Sequence, residues 1–151
     1  MPQSTTFATD AFFAGQLYRN CFRKLTENGD FTPNEMFVLL FLYRNAPEQD
    51  TATAIAQAWN VSKPLVTRSV DQLHKRALLE CSRDPHDRRL VHLRLSDQGR
   101  AEAEALHRRC EAFALRLQQG ITDEEMQCLC NVMRKMQNNL NNLLSTERKE
   151  S

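Results

Sequence analysis

The sequence has 151 residues, of which 41% are hydrophobic and 26% charged, and its formal net charge is +1. This composition is typical of a soluble globular chain and excludes disordered, collagen-like and repeat proteins. The longest apolar run, residues 36–43, is far shorter than the ~20 residues of a membrane span. The polar N-terminus lacks a secretory signal, so we expect a cytoplasmic protein with no membrane partner.

The first part of the sequence predicts two helices. Apolar residues at helical spacing indicate a helix over residues 10–27, which an Asn-Gly pair ends. Thr32 is a suitable N-cap, Pro33 suits the first helical position, and Glu35 completes a capping box. A second helix therefore begins here and ends near residues 45–47.

The middle of the sequence predicts a helix-turn-helix. A short helix, capped by Thr51 or Thr53, ends before Asn60. Asparagine tolerates a left-handed backbone better than other residues that have a side chain, so Asn60 suits a tight turn between helices. Ser62 is a good N-cap for the next helix, which is predicted to reach Arg76.

Residues 78–95 predict a β-hairpin. Apolar and polar residues alternate at both ends of this segment, as they do in half-buried strands. Between the two strands lies the basic, turn-rich loop of residues 83–89. A helix-turn-helix followed by such a hairpin is a winged helix, so the expected fold is mainly α with a small β-hairpin wing.

The last third of the sequence predicts two long helices. One begins after Ser96 and ends at Gly120, and the other begins after Thr122. Both repeat apolar residues in steps of three and four, which is typical of helices that pack lengthwise, and a second copy of the chain would cover them. The predicted dimer contacts are Leu106, Phe113, Leu129, Met133 and Leu140. The predicted organisation is an N-terminal dimerisation helix over 1–30, a winged helix-turn-helix over 31–96, C-terminal dimerisation helices over 97–146 and a tail over 147–151.

Positive charge is concentrated in residues 60–100, which hold nine Lys or Arg and five Asp or Glu. Such a patch attracts polyanions, and the major groove of double-stranded DNA admits an α-helix. We therefore predict that the helix after Ser62 reads the major groove, while wing arginines enter the adjacent minor groove. Asp87 is interpreted as a partner that aims an arginine. The predicted DNA-binding residues are Ser62, Lys63, Pro64, Thr67, Arg68, His86, Asp87, Arg88 and Arg89.

Three stretches of the sequence resemble the MarR family. NVSKPLVTRSVDQLHKRALLE resembles its recognition helix, DPHDRRLVHLRLSDQGR its wing, and TPNEMFVLLFL its second helix. Ala77 stands where the family usually has glycine. The resemblance implies a homodimeric transcriptional regulator, most simply a repressor, on a pseudo-palindromic operator. It places Ser62, Lys63, Thr67 and Arg68 on DNA-contacting positions, and Asp87 and Arg89 on the paired wing positions.

The resemblance also implies a small aromatic or amphipathic effector that releases the repressor from DNA. Its pocket would lie between the DNA-binding domain and the dimerisation helices. The predicted lining residues are Phe13, Leu17, Met36, Phe37 and Tyr43, although each of them is equally consistent with an ordinary core residue.

No metal, cofactor or enzymatic activity is predicted. The five cysteines include no CxxC pair, and the four histidines share no metal-ligand spacing. The histidines are therefore interpreted as ordinary surface residues, with His86 able to contact phosphate. No GxSxG, P-loop or HExxH motif occurs. Two alternatives stay open: a winged-helix protein-interaction module, and a redox-sensing regulator that uses Cys21.

Overall fold

The computed structural model describes residues 3–26 and 31–147 of the chain. Its elements are α1 (Gln3–Thr26), α2 (Pro33–Asn45), α3 (Ala52–Trp59), α4 (Lys63–Lys75), β1 (Leu79–Arg83), β2 (Val91–Leu95), α5 (Asp97–Leu117) and α6 (Asp123–Glu147). This element order confirms the predicted fold class. The chain divides into two compact units, Met1–Glu111 and Ala112–Ser151. None of the described helices is both long and apolar enough to span a membrane.

Helix α1 begins at Gln3, seven residues before the predicted start at residue 10. The prediction placed the start where the apolar repeat begins, whereas the polar and small residues before it also adopt helical geometry. The Asn-Gly pair at 28–29, which is predicted to end this helix, lies outside the described residues.

Helix α2 begins with the predicted capping box. The Thr32 N–H donates to Glu35 Oε2 at 2.7 Å, and the Glu35 N–H donates to Thr32 Oγ1 at 3.3 Å. These two bonds satisfy N–H groups that have no partner within a helix. The cap fixes the start of a helix that supplies residues to both core clusters of the first unit.

Two clusters of buried side chains form the core of the first unit. The larger one contains Val38, Leu39, Phe41, Leu42, Ile55, Ala56, Val66, Val70, Leu73, Leu78, Leu79, Leu93, Leu95 and Ala103. The smaller one joins Met36, Leu40 and Leu106. Because Leu106 is only 1% exposed, it packs inside its own protomer, and the prediction that it contacts a partner chain is corrected.

The turn between α3 and α4 is made by Asn60, as predicted. Its backbone is left-handed, with φ 53° and ψ 44°. The following Val61 N–H donates to the Ala56 carbonyl at 3.0 Å, which closes the end of α3. This turn sets the direction of α4 relative to α3, and the two helices form the helix-turn-helix.

Ala77, which follows α4, also has a left-handed backbone, with φ 58°. This conformation costs an L-residue about 1–2 kcal/mol, whereas glycine adopts it freely but loses more entropy on folding.

We therefore expect Ala77→Gly to raise the free energy of unfolding by about 0.5–1 kcal/mol. Urea unfolding at equal chain concentration checks this. Ala101→Gly, at an exposed position inside α5, is the control and should lower the same quantity. A loss of stability in both variants would contradict the prediction.

The wing is joined to α5 by a tight contact at Ser96. The Ser96 hydroxyl donates to the Ala77 carbonyl at 2.7 Å and accepts from the Gly99 N–H at 3.0 Å. The Ser96 N–H donates to the Leu78 carbonyl at 3.1 Å. The backbone at Gly99 lies so close to Leu78 that a Cβ on residue 99 would overlap the Leu78 carbonyl. Strand β1, strand β2 and the start of α5 therefore meet at one backbone junction.

A row of aromatic rings connects α1 to α3. Tyr18 stacks on Phe22 and Phe22 on Phe37, with centroids 6.0 and 5.5 Å apart. Phe37 contacts Trp59 edge-on at 5.2 Å, and Phe41 contacts the same ring at 5.5 Å. Such pairs add to the stability gained from burial alone.

The second unit contains the end of α5 and all of α6, which begins with its own capping box between Thr122 and Glu125. Three predicted dimer residues lie on this helix with about half of their surface exposed, namely Leu129, Met133 and Leu140. Phe113, in the last part of α5, is partly buried. Exposed apolar side chains at this spacing leave a face of α6 uncovered within the protomer.

Candidate nucleic-acid interface

Helix α4 has one buried face and one exposed face. Val66, Val70 and Leu73 point into the core. The predicted DNA-binding residues of this region, namely Ser62, Lys63, Pro64, Thr67 and Arg68, are all exposed. Ser62 occupies the N-cap position, but its side chain makes no capping hydrogen bond. The predicted N-cap position of Ser62 is thus confirmed, and only the capping bond from its hydroxyl is not formed.

Side chains of α4 and the wing line the same cleft. This cleft, of about 380 Å³, lies between α4, the start of α3 and the hairpin, and its walls include Lys63, Thr67 and Arg89. An open groove of about 490 Å³ along α4 is lined by Lys63, Pro64, Thr67, Arg68 and Asp71. The helix and the wing therefore form one continuous surface that carries cations from both elements.

The first turn of the wing is organised by Asp84. Its Oδ1 accepts from the backbone N–H groups of His86 and Asp87, at 2.7 and 2.8 Å. Hydrogen bonds to the ionised form lower the pKa of Asp84, with the Asp87 N–H as the largest cause and the His92 ring next. The negative charge of Asp84 thus serves to fold the loop that carries His86 and the two arginines.

Asp87 shapes the wing tip through the backbone. Its Oδ1 accepts from the Arg89 N–H at 2.9 Å, and its carbonyl accepts from the Leu90 N–H at 2.9 Å. Among the ion pairs of the described residues, none joins Asp87 to an arginine side chain. Asp87 therefore holds the main chain of Arg89 and leaves the guanidinium of Arg89 exposed, and the interpretation that Asp87 aims an arginine stays a prediction.

His92, interpreted from sequence as an ordinary surface residue, lies between two carboxylates. Its Nδ1 is 2.8 and 3.0 Å from the Asp50 oxygens, and its Nε2 is 3.1 Å from Asp84 Oδ2. The hydrogen bond to Asp50 is the largest cause that raises the pKa of His92, and that to Asp84 is the next. Strand alternation indicates only that His92 points away from the core, and Asp50 lies 42 residues away in the chain.

His74 and Cys81 both line the cleft between α4 and the wing. The His74 Nδ1–H donates to the Leu79 carbonyl at 2.7 Å, which joins the end of α4 to β1. Burial, followed by the charge of Asp71, raises the pKa of the Cys81 thiol. Burial also raises the pKa of Cys110. Both side chains therefore favour the unreactive thiol form at neutral pH.

The five residues predicted to line an effector pocket lie in different surroundings. Met36 is fully buried, so its assignment to an open pocket is corrected to the core. Phe37 lines a cleft with Tyr18 and Phe22, and Tyr43 contacts the His107 ring. The remaining two, Phe13 and Leu17, are exposed on α1.

Comparisons with known proteins agree with this geometry. The sequence profile of the MarR family matches residues 30–90. An uncharacterised HTH-type transcriptional regulator of Bacillus subtilis, YdgJ, is 29% identical over 109 residues. That match covers 72% of this chain but only 64% of the length of YdgJ.

Two solved structures have the same fold. The DNA complex of MepR from S. aureus superposes with a TM-score of 0.76 and 22% identity, covering 93% of this chain and 99% of MepR. BpsR of Bordetella bronchiseptica, whose DNA binding is regulated by 6-hydroxynicotinic acid, superposes with a TM-score of 0.72 and 24% identity, covering 90% of this chain and 94% of BpsR. The matched profile and the similarity to YdgJ thus show that residues 30–90 resemble the MarR family, and the two solved structures show that the chain has the same fold.

Proposed function

We propose that the protein is a sequence-specific DNA-binding regulator of transcription that acts as a homodimer. Its role is binding rather than catalysis, and it acts in a bacterial-type cytoplasm. Helix α4 lies in the major groove through Ser62, Lys63, Pro64, Thr67 and Arg68. The wing carries His86, Arg88 and Arg89 to the flanking backbone and minor groove, whose negative potential attracts arginine.

The cleft shared by α4 and the wing is the observation that carries this proposal. Lys63 and Thr67 of α4 line it together with Arg89 of the wing. A duplex presents phosphates on both sides of a groove, so a surface with cations on two adjoining elements fits its shape and charge. A protein-interaction module without DNA binding gives no reason for an ordered, arginine-bearing wing tip beside an exposed helix.

The exposed face of α6 supports the homodimer. Leu129, Met133 and Leu140 are 46–57% exposed in the protomer, and burial of such side chains against a second copy gains about 25 cal/mol per Å² of apolar surface. We infer that α1 and the last part of α5, with Phe113, contribute to the same interface. Two-fold symmetry then gives a pseudo-palindromic operator with half-sites about one helical turn apart.

Repression by occlusion of a promoter is the simplest outcome of this binding. An effector that binds between the DNA-binding domain and the dimerisation helices would change the distance between the two α4 helices of the dimer. It would favour a distance that does not fit the two half-sites of the operator. BpsR, with its regulator 6-hydroxynicotinic acid, supports a small aromatic effector for this chain as well. The exposed Phe37 and its cleft with Tyr18 and Phe22 are the place where we would look for it.

Fluorescence anisotropy with DNA from upstream of the protein's own gene tests the proposed function. We expect tight binding to that DNA, weak binding to scrambled DNA, and an affinity that falls steeply with salt because bound phosphates release counterions. Sedimentation equilibrium of the same sample should give two chains per particle. A dimer that binds both DNAs equally weakly, and that selects no sequence from a random-site library, would favour the protein-interaction module.

A further inference from the structure

Three segments of the chain meet at the base of the wing through the side chain of His92. Asp50 lies in the connection between α2 and α3, Asp84 begins the wing turn, and His92 lies in β2 between them. The side chains of Asp50 and Asp84 are 18% and 23% exposed, and that of His92 is 34% exposed. In addition, the Leu93 N–H donates to the Asp50 carbonyl at 2.7 Å. The wing is thereby attached to the segment that leads into the helix-turn-helix.

The geometry of this cluster specifies the protonation state of His92. An ionised carboxylate only accepts hydrogen bonds, and a neutral imidazole has only one N–H to donate. Both ring nitrogens of His92 lie within 3.1 Å of a carboxylate oxygen. Both bonds can therefore form together only when the ring carries two protons. Loss of one proton places a nitrogen lone pair against a carboxylate.

We propose that His92 is a positioning residue for DNA binding, whose protonated ring fixes the wing, so that operator affinity falls when the ring loses its charge. This inference rests on the proposed function. The structure connects His92 to the wing tip through Asp84, because Asp84 also accepts hydrogen bonds from the N–H groups of His86 and Asp87. Deprotonation of His92 thus loosens the residue that folds the tip carrying Arg88 and Arg89.

The charges around His92 determine the direction of the effect. Asp50 faces the ring from the α2–α3 connection and Asp84 from the wing turn, while its partner across the hairpin on β1 is the uncharged Ser82. The two carboxylates raise the pKa of His92 above its ordinary value. The stabilisation is complete below the ordinary histidine pKa and is lost as pH rises through the raised value. Above it, two carboxylates without a cation remain beside the DNA-binding surface and repel phosphate.

Anisotropy with the operator, measured at constant ionic strength over about pH 5–9, tests this proposal. We expect the association constant of the wild-type dimer to fall with rising pH, by at most about tenfold per pH unit for each His92 that titrates. His92→Gln should bind more weakly at low pH and should lose most of this slope. His107→Gln is the matched control, because it removes a titratable ring from α5, where His107 pairs with Glu111 outside the proposed DNA-binding surface. It leaves the cluster intact and should keep the wild-type slope.

Two further measurements separate the possible outcomes. Circular dichroism should show that His92→Gln is folded, and an NMR titration should show that Asp50→Asn lowers the pKa of His92. Equal pH slopes in the wild type and in His92→Gln, or a normal pKa for His92, would overturn the positioning role while leaving DNA binding intact. A wild-type dimer that binds no specific DNA at any pH would instead overturn the proposed function.

Discussion

Arg89→Ala is expected to weaken operator binding by about 1–3 kcal/mol per subunit, roughly 5- to 150-fold. Arg89 is exposed at the wing tip and lines the cleft that also contains Lys63 and Thr67 of α4. Its position is fixed by its own N–H, which donates to Asp87. This backbone bond survives truncation to alanine, so the variant keeps a folded wing and loses only the guanidinium.

The control for this variant is Arg100→Ala, which removes the same charge from an exposed position in the first turns of α5. Operator affinity should be measured by anisotropy across a salt series for both variants. Arg89→Ala should lower both the affinity and the salt slope, whereas Arg100→Ala should stay close to the wild type. If both variants lose the same small amount, net charge alone explains the effect, and the assignment of Arg89 to the minor groove is wrong.

Gly99→Ala is expected to lower the free energy of unfolding by at least about 2 kcal/mol, a large effect for a single methyl group. A Cβ on residue 99 would overlap the backbone carbonyl of Leu78. The same carbonyl accepts from the Ser96 N–H, so neither the strand end nor the start of α5 can move without the loss of a hydrogen bond. Side chains relieve such overlap by changing rotamer, but a backbone group cannot.

Gly15→Ala is the opposite case and serves as the matched control. Gly15 lies inside α1, and a Cβ there would approach only the end of the Arg19 side chain, at 3.8 Å. Alanine has the better helix propensity, so this variant should gain up to about 1 kcal/mol. Urea unfolding at equal chain concentration compares the two variants. A stable Gly99→Ala protein would show that the junction of β1, β2 and α5 is looser than these contacts indicate.

Much of the fold was predictable because its signals are local in sequence. The capping box of Thr32 and Glu35, the left-handed turn at Asn60 and the alternation of the wing strands each depend on a few consecutive residues. The exposed face of α4 follows from helical periodicity alone, so its predicted DNA-binding residues do share one surface. Whether these residues contact DNA remains a prediction.

The errors concern contacts between residues that are far apart in the chain. The apolar repeat of α5 that includes Leu106 indicates an apolar helix face, but it does not indicate which element covers that face. In the structure, α2 of the same protomer covers Leu106. The strand pattern around His92 predicted no role for this residue, because its partner Asp50 lies 42 residues away in the sequence. At short range, the sequence left open which group of the arginine Asp87 contacts, and the structure shows that the Asp87 carboxylate binds the Arg89 backbone N–H. Short polar side chains in turns often do so.

The aromatic row gives this chain an optical reporter of its own. Trp59 is the single tryptophan of the sequence, and its indole lies edge-on against Phe37 and Phe41 of α2. Emission from an indole depends on the polarity of its surroundings, so all tryptophan fluorescence of the protein originates at the contact between α2 and α3. A ligand that binds against Phe37, or a displacement of the helix-turn-helix from α2, changes that emission without any attached dye.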